Sequence, residues 1–208
     1  LRLLEIPRLV WTGSSVVFGP ASLYGDEAVD EEVVSAPTTV YGATKVLAEF
    51  LIRHYRTEYG LEAVSLRLPL VYGPGRWYVG QGGALHDLFT AAAHRQPATI
   101  QAPRAPMDLM YAPDAGLAVA ACVAAPALPH DRYHVLSHRS TIADLATQLT
   151  AIDPSLQLTI EPVDCGPNLP AMSTARIERD LGFRPRYDEA TACADFLRWL
   201  RDHEGETR

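Results

Sequence analysis

The sequence predicts an α/β fold built on a parallel sheet, and three successive segments predict it. Residues 8–19, RLVWTGSSVVFG, open as an apolar run rich in Val and Leu and end in small polar residues, the pattern of a buried strand running into a loop. Between about Thr39 and Tyr59, Val40, Leu47, Leu51 and Tyr55 recur at the spacing of an amphipathic helix, and Gly60 is placed to stop it. Residues 63–73, AVSLRLPLVYG, read as a second buried strand. Strand, helix, strand in this order implies a parallel crossover.

The remaining elements follow in order. YGDEAVDEE, residues 24–32, is an acidic, turn-rich loop best read as solvated. After the Gly-rich stretch GPGRWYVGQGG comes a helix near Ala84 to His94, then an Ala-rich helix from about Pro113 to Ala125 with Pro113 in its first turn. RYHVL reads as a short strand, and in STIADLATQL Asp144 follows Thr141 by three, a capping-box start. The last helix runs from about Asp188 to His203, with Ala190, Cys193, Phe196, Leu197 and Leu200 on one side. No internal repeat or low-complexity tract interrupts the chain.

Composition narrows the function. A chain of 208 residues with 48% hydrophobic side chains can bury a real core as one domain, or one domain plus a small lobe. The net charge of −7 supplies no basic surface for a phosphate backbone, so no nucleic-acid partner is expected. Cys122, Cys165 and Cys193 are widely spaced with no CxxC, which argues against a disulfide framework or zinc site and fits a reducing cytoplasm. The longest apolar run, LAVAACVAA, is too short to span a bilayer, and no signal-peptide pattern opens the chain; no membrane association is expected. His130, His134 and His138 recur every four residues, but Pro129 and RYHVL put them along a strand, where side chains four apart stand far from one another; no metal ligand set is expected.

The chemistry centres on VYGATKVLAEF. Tyr41 and Lys45, at i and i+4, must be neighbours on one helix face. An ammonium beside a phenol favours the phenolate, making Tyr41 a usable proton donor and acceptor. The same spacing is common on solvated helix faces, and Glu49, four residues beyond Lys45, could form a plain surface ion pair with it. The context favours chemistry: Ser14 and Ser15 end a buried strand, where loops of parallel sheets gather ligands, and a serine hydroxyl there could hold a carbonyl or alcohol beside the phenol.

These blocks, in this order, resemble the extended short-chain dehydrogenase/reductases, also called the NAD-dependent epimerase/dehydratase family. LVWTGSSVVFG is similar to the strand and loop of the family's catalytic serine, PTTVYGATKVLAE to its YxxxK helix, and SLRLPLVYGPG to the following strand near the nicotinamide. MDLMYAPDAGLAV and LGFRPRY match weaker segments of the C-terminal half. The resemblance implies a Rossmann-type doubly wound parallel sheet, incomplete at its N-terminus, with a small C-terminal substrate-binding lobe. Residues 1–75 would be the second half of the dinucleotide-binding domain and 76–208 mainly the lobe, with some segments returning to the sheet. It implies that Tyr41 is the general acid/base, that Lys45 binds the ribose of NAD or NADP and favours the tyrosinate, and that Ser14, five before Gly19, orients the substrate, with Ser15 as the alternative. Pro69 and Val71 would line the nicotinamide, and Asp114 would cap or pack a helix. A small-molecule substrate and a homodimer are implied as well.

Two departures bear on the substrate. Relatives acting on nucleotide sugars usually carry an asparagine where this chain has Leu70, and an arginine for the diphosphate where Met107 precedes Asp108. Methionine offers nothing like the bidentate guanidinium, although Arg104 or Arg76 could substitute. A substrate other than a nucleotide sugar is therefore expected, with Arg76, Trp77 and His86 as contacts from GRWYVGQGGALHDLF; a nucleotide-sugar epimerase or dehydratase is the alternative. The family's Gly-rich pyrophosphate turn is also absent, and Leu1 stands where a methionine would begin a chain, so about half of the dinucleotide-binding domain is expected to lie upstream. A non-redox binding protein that keeps the fold is the competing reading.

Overall fold

The computed structural model describes residues 6, 8–75, 82–164 and 168–203. β1 (Arg8–Ser14) and β2 (Glu62–Leu68) lie parallel along their whole length, Arg8 opposite Glu62 and Ser14 opposite Leu68, and α1 (Val40–Tyr59) makes the crossover between them. Further along the chain, β6 (Arg132–His134) returns to pair in parallel with the other edge of β2. A second sheet has the order β3 (Leu70–Tyr72), β5 (Met107–Tyr111), β7 (His138–Ser140), with β3 and β5 parallel and β7 antiparallel. β4 (Ala98–Pro103) and β8 (Leu158–Val163) form a parallel pair. The other helices are α2 (Gly83–Ala93), α3 (Ala112–Ala124), α4 (Ile142–Ile152), α5 (Ala175–Leu181) and α6 (Glu189–Asp202).

The segment from Ala63 to Gly73 is two strands rather than one. Pro69 has no N–H to give a ladder, and across it the chain changes partners, from β1 and β6 to β5.

Local chemistry sets the helix ends. Thr39 Oγ1 accepts from Gly42 N at 3.0 Å to cap α1, and Gly60 ends it in the left-handed region at φ 65°. The Thr141–Asp144 capping box of α4 forms in both directions, Asp144 N to Thr141 Oγ1 at 3.0 Å and Thr141 N to Asp144 Oδ2 at 3.2 Å. On α6, Ala192, Cys193 and Leu197 are buried and Phe196 and Leu200 partly so, whereas Ala190 faces outward.

The apolar stripe of α1 does not face the sheet. Val40 is 84% exposed, and Leu47, Leu51 and Tyr55 stand in solvent with it. The face turned inward is Gly42, Lys45, Val46, Glu49, Ile52 and Arg56, spaced by three and four, of which Gly42, Glu49 and Ile52 are buried. On that inner face the Glu49 carboxylate meets Arg67 of β2.

Three apolar clusters hold the molecule together. Leu85, Leu88, Phe89, Leu145, Leu149 and Leu197 pack α2, α4 and α6 on one another; Val64, Leu66, Ala118, Cys122 and Tyr133 pack α3 on the first sheet. Each fully buried Leu or Phe contributes about 1.5–3 kcal/mol. A small third cluster of Val17, Phe18, Val29 and Met172 joins the loop after β1 to a late segment, where Val29 N donates to Ala171 O and Ser173 N to Val29 O, both at 2.8 Å. Cys122 and Cys193 are buried and free, their thiols pushed up to about 11 and about 12 by burial. No helix among the described residues is long and apolar enough to cross a membrane.

Candidate active site

The site is assembled at the carboxyl ends of β1 and β2. Ser14 is the last residue of β1, opposite Leu68, so the buried Pro69 that follows lies at the same end of the sheet. Ser14 Oγ accepts from Val16 N at 3.4 Å, capping the short turn Ser15–Val17. Ser15 is buried in that turn, which leaves Ser14 the more accessible hydroxyl.

Gly42 lets the helix reach this turn. A Cβ there would lie 2.3 Å from Val16 O and 2.9 Å from Pro37 Cβ, so only glycine permits the first turn of α1 to rest on the loop after β1. Tyr41, the preceding residue, is thereby brought to the loop of Ser14 and is 57% exposed. Lys45, one turn on, is half-buried; its Nζ donates to Thr12 O at 2.8 Å and lies 5.3 Å from the Tyr41 ring centroid and 5.4 Å from that of Trp11.

Lys45 is the chain's single lysine, beside 17 arginines. Wherever else this protein uses a fixed cation it uses guanidinium; only here is there a compact ammonium with three rotatable donors. That singularity was available in the sequence.

Glu49 does not pair with Lys45. It is buried against Arg67 of β2, with Arg67 Nε to Glu49 Oε1 at 2.8 Å and Nη2 to Oε2 at 2.7 Å. Arg67 Nη1 lies 3.2 Å from His134 Nε2. A guanidinium can only donate, so Nε2 holds the lone pair and the imidazole proton sits on Nδ1, which is buried with no acceptor at hydrogen-bond distance among the described residues. Burial, helped by the positive Arg67, pushes His134 down to about 3. Nor is the whole acidic loop solvated: Glu31 is buried, accepts from His134 N at 2.9 Å and pairs with Arg176 at 3.2 Å, and burial raises its carboxyl above the ordinary value.

The other candidates scatter. Val71 is half-buried in β3, Leu70 opposes Leu109, and Met107 opposes Ser140. Asp108 is held by Arg139 Nη1 and by Met172 N, each at 2.8 Å, so its cationic neighbour comes from β7; Arg104 is exposed in the preceding turn. His86 stands exposed on α2, which packs on α4, α6, β4 and β8 rather than on α1. Arg76 and Trp77 lie outside the described residues. Asp114, fully buried, accepts from Ser137 Oγ and Arg186 N at 2.8 Å each, tying α3 to the connection before β7 and to the loop before α6. Among the described residues no group of three His, Cys, Asp or Glu side chains could hold a metal ion; His130 meets Asp180 and His138 meets Tyr72.

Similarity to known proteins points the same way. Residues 1–135 match the model of the NAD dependent epimerase/dehydratase family. The chain is 25% identical over 211 residues to an uncharacterized epimerase/dehydratase of Staphylococcus haemolyticus, covering 90% of this chain and 64% of that one. It is 33% identical over 101 residues to an uncharacterized UDP-glucose epimerase of Bacillus subtilis, covering 48% and 31% respectively. The chain thus spans less than two thirds of these relatives' length. Among solved structures, a GalE-like L-threonine dehydrogenase from Cupriavidus necator in its holo form superposes with a TM-score of 0.84 at 27% identity, covering 96% of this chain and 67% of that one. With a family model covering well over half of its length, and with strand, serine turn and YxxxK helix arranged as described, the chain belongs to the NAD-dependent epimerase/dehydratase family.

Proposed function

We propose that the protein catalyses NAD(P)-dependent oxidation, reduction or epimerisation at a carbinol carbon, with Ser14, Tyr41 and Lys45 as its working side chains. The observation that carries this reading is the position of Lys45, held by Thr12 O and lying over the Tyr41 ring. Its ammonium stands beside the ring whose phenol would exchange a proton with the substrate. Ser14 hydrogen-bonds the substrate oxygen, and Tyr41 delivers or removes the proton on that oxygen.

The donor set fits the nicotinamide ribose of a dinucleotide. Thr12 O engages one of the three Lys45 N–H groups, which leaves donors for ribose hydroxyls, with the Tyr41 ring 5.3 Å away. Pro69 follows the end of β2 at the same end of the sheet, and Val71 comes two residues later in β3. When bound, NAD or NADP supplies the hydride donor or acceptor at nicotinamide C4.

Two observations support a substrate smaller than a nucleotide sugar. Leu70 and Met107 offer no polar group, and the GalE-like L-threonine dehydrogenase is 27% identical, which favours a 3-hydroxy acid of the amino-acid type. The likeness to a UDP-glucose epimerase sustains nucleotide-sugar epimerisation as the second reading. The exposed face of Val40, Leu47, Phe50, Leu51 and Tyr55 supports a homodimer formed through α1.

The test is titration of the folded chain with NADH and NADPH followed by nicotinamide fluorescence, then NAD+ reduction assayed with L-threonine and, separately, epimerisation of UDP-glucose. Saturable binding that Lys45→Met weakens supports the reading. A folded chain that binds neither nucleotide supports the non-redox alternative.

A further inference from the structure

Arg67 heads the large, fully buried side chains among the described residues, and its guanidinium meets four separate stretches of chain. Glu49 of α1 takes two of its N–H groups, as a planar fork takes a carboxylate. Its Nη1 faces His134 of β6, its Nη2 lies 3.4 Å from Ser35 Oγ in the loop that leads into α1, and the Phe18 ring lies 5.1 Å from its centre. Ser65 Oγ adds a weak donor to the same carboxylate at 3.4 Å.

These contacts surround the candidate site from beneath. Glu49 is one helical turn beyond Lys45 and two beyond Tyr41; Phe18 closes the turn that begins at Ser14. Burying an ion pair is costly, and an apolar pair of equal volume would hold the fold as well. What an apolar pair lacks is direction. Two parallel hydrogen bonds to a helix carboxylate fix the rotation of that helix about its axis as well as its distance from the sheet.

We propose that Arg67, acting through Glu49, is the positioning residue that sets the rotation of α1 and so holds Lys45 against Thr12 O and beside the Tyr41 ring. The proposal rests on reading Ser14, Tyr41 and Lys45 as the site. Neither residue touches substrate or cofactor; both act through Lys45.

Because the chain has one lysine, 13Cε-lysine labelling yields one side-chain resonance, displaced by the ring currents of Trp11 and Tyr41. The variant Arg67→Met/Glu49→Leu replaces the pair by apolar groups of similar size. The expected result is a folded protein whose lysine resonance moves more than halfway to the position it takes in Trp11→Leu. Leu149→Ala, a cavity in α4 far from the pair, should leave the resonance in place although it lowers stability. An unmoved resonance in the folded double variant overturns the proposal and leaves the pair a purely structural one. Should the double variant not fold, the isosteric Glu49→Gln is read by the same signal: a smaller displacement in the same direction upholds the proposal and none overturns it. The measurement involves neither cofactor nor turnover, so its failure is distinct from failure of the catalytic reading. A resonance that moves, in a protein whose activity survives Lys45→Met, would keep the positioning role and remove the catalytic one.

Discussion

Lys45 Nζ donates to the carbonyl of Thr12 at 2.8 Å, tying the second turn of α1 to the strand that ends two residues later at Ser14. One hydrogen bond therefore joins the helix of the candidate acid/base to the strand of the candidate substrate-binding hydroxyl. Replacing Lys45 by Met removes the donor and keeps the stem. NADH affinity is expected to fall at least tenfold, about 1.4 kcal/mol, in a nicotinamide-fluorescence titration. Unchanged affinity would take Lys45 out of the cofactor site.

Tyr41→Phe removes one exposed hydroxyl for which no structural hydrogen bond is needed. Stability should change by no more than about 0.5 kcal/mol, as for other surface substitutions. Turnover of any accepted carbinol should disappear, and activity that persists in this variant would remove the phenol from the mechanism.

Gly42→Ala forces a methyl group toward Val16 O. Backbone cannot yield as a flexible side chain can, so α1 must lift from the loop, at a cost of about 1–3 kcal/mol. Urea unfolding gives the energy. The same variant should lose activity out of proportion to its stability, since Tyr41 moves with the turn.

Arg67→Met alone leaves the Glu49 carboxylate buried without its counter-charge and should cost about 3–5 kcal/mol; adding Glu49→Leu should recover most of that loss. A double-mutant cycle in urea tests this, and simple additivity of the two changes would mean that the residues are not coupled.

His134 supplies a pH signature. Its folded-state value is pushed down to about 3, below the ordinary imidazole value, so the folded protein holds it neutral while the unfolded chain protonates. The stabilisation is complete above about pH 6.5 and is lost as the pH falls toward 3, at up to about 1.4 kcal/mol per pH unit. Paired carboxylates lose stability in acid as well, so the diagnostic quantity is the difference in slope between the wild type and His134→Gln across that window. Parallel slopes would show that His134 does not titrate in this way.

How much of this was legible in the sequence depended on whether the signal was local. Thr39, Gly60 and the Thr141–Asp144 box act within one turn of helix, and their elements form where the sequence places them. The outward stripe of α1 was not legible, since periodicity locates an apolar face without saying what it meets. One cue does lie in the sequence: an arginine inside the apolar run AVSLRLPL requires a buried partner, and Glu49, whose spacing also suits a surface pair with Lys45, is the carboxylate that supplies it. Glu31 needed Arg176, 145 residues away, which no local pattern connects. Pro69 interrupts its apolar run in the sequence, but the change of sheet it marks depends on β5, which no local pattern reveals.

The bridge between Val29 and Met172 carries a consequence for the newborn chain. The loop between Ser14 and Tyr41 closes on residues 168–173, through Ala21 to Asn168, Val29 to Ala171 and Ser173 to Val29. On the ribosome, β1, α1 and β2 can come together before the later segments emerge, because their contacts fall between residues 8 and 68. The loop over the candidate site cannot seat until Met172 has left the exit tunnel, so a translation product halted at β8 would carry Ser14, Tyr41 and Lys45 with that loop still undocked.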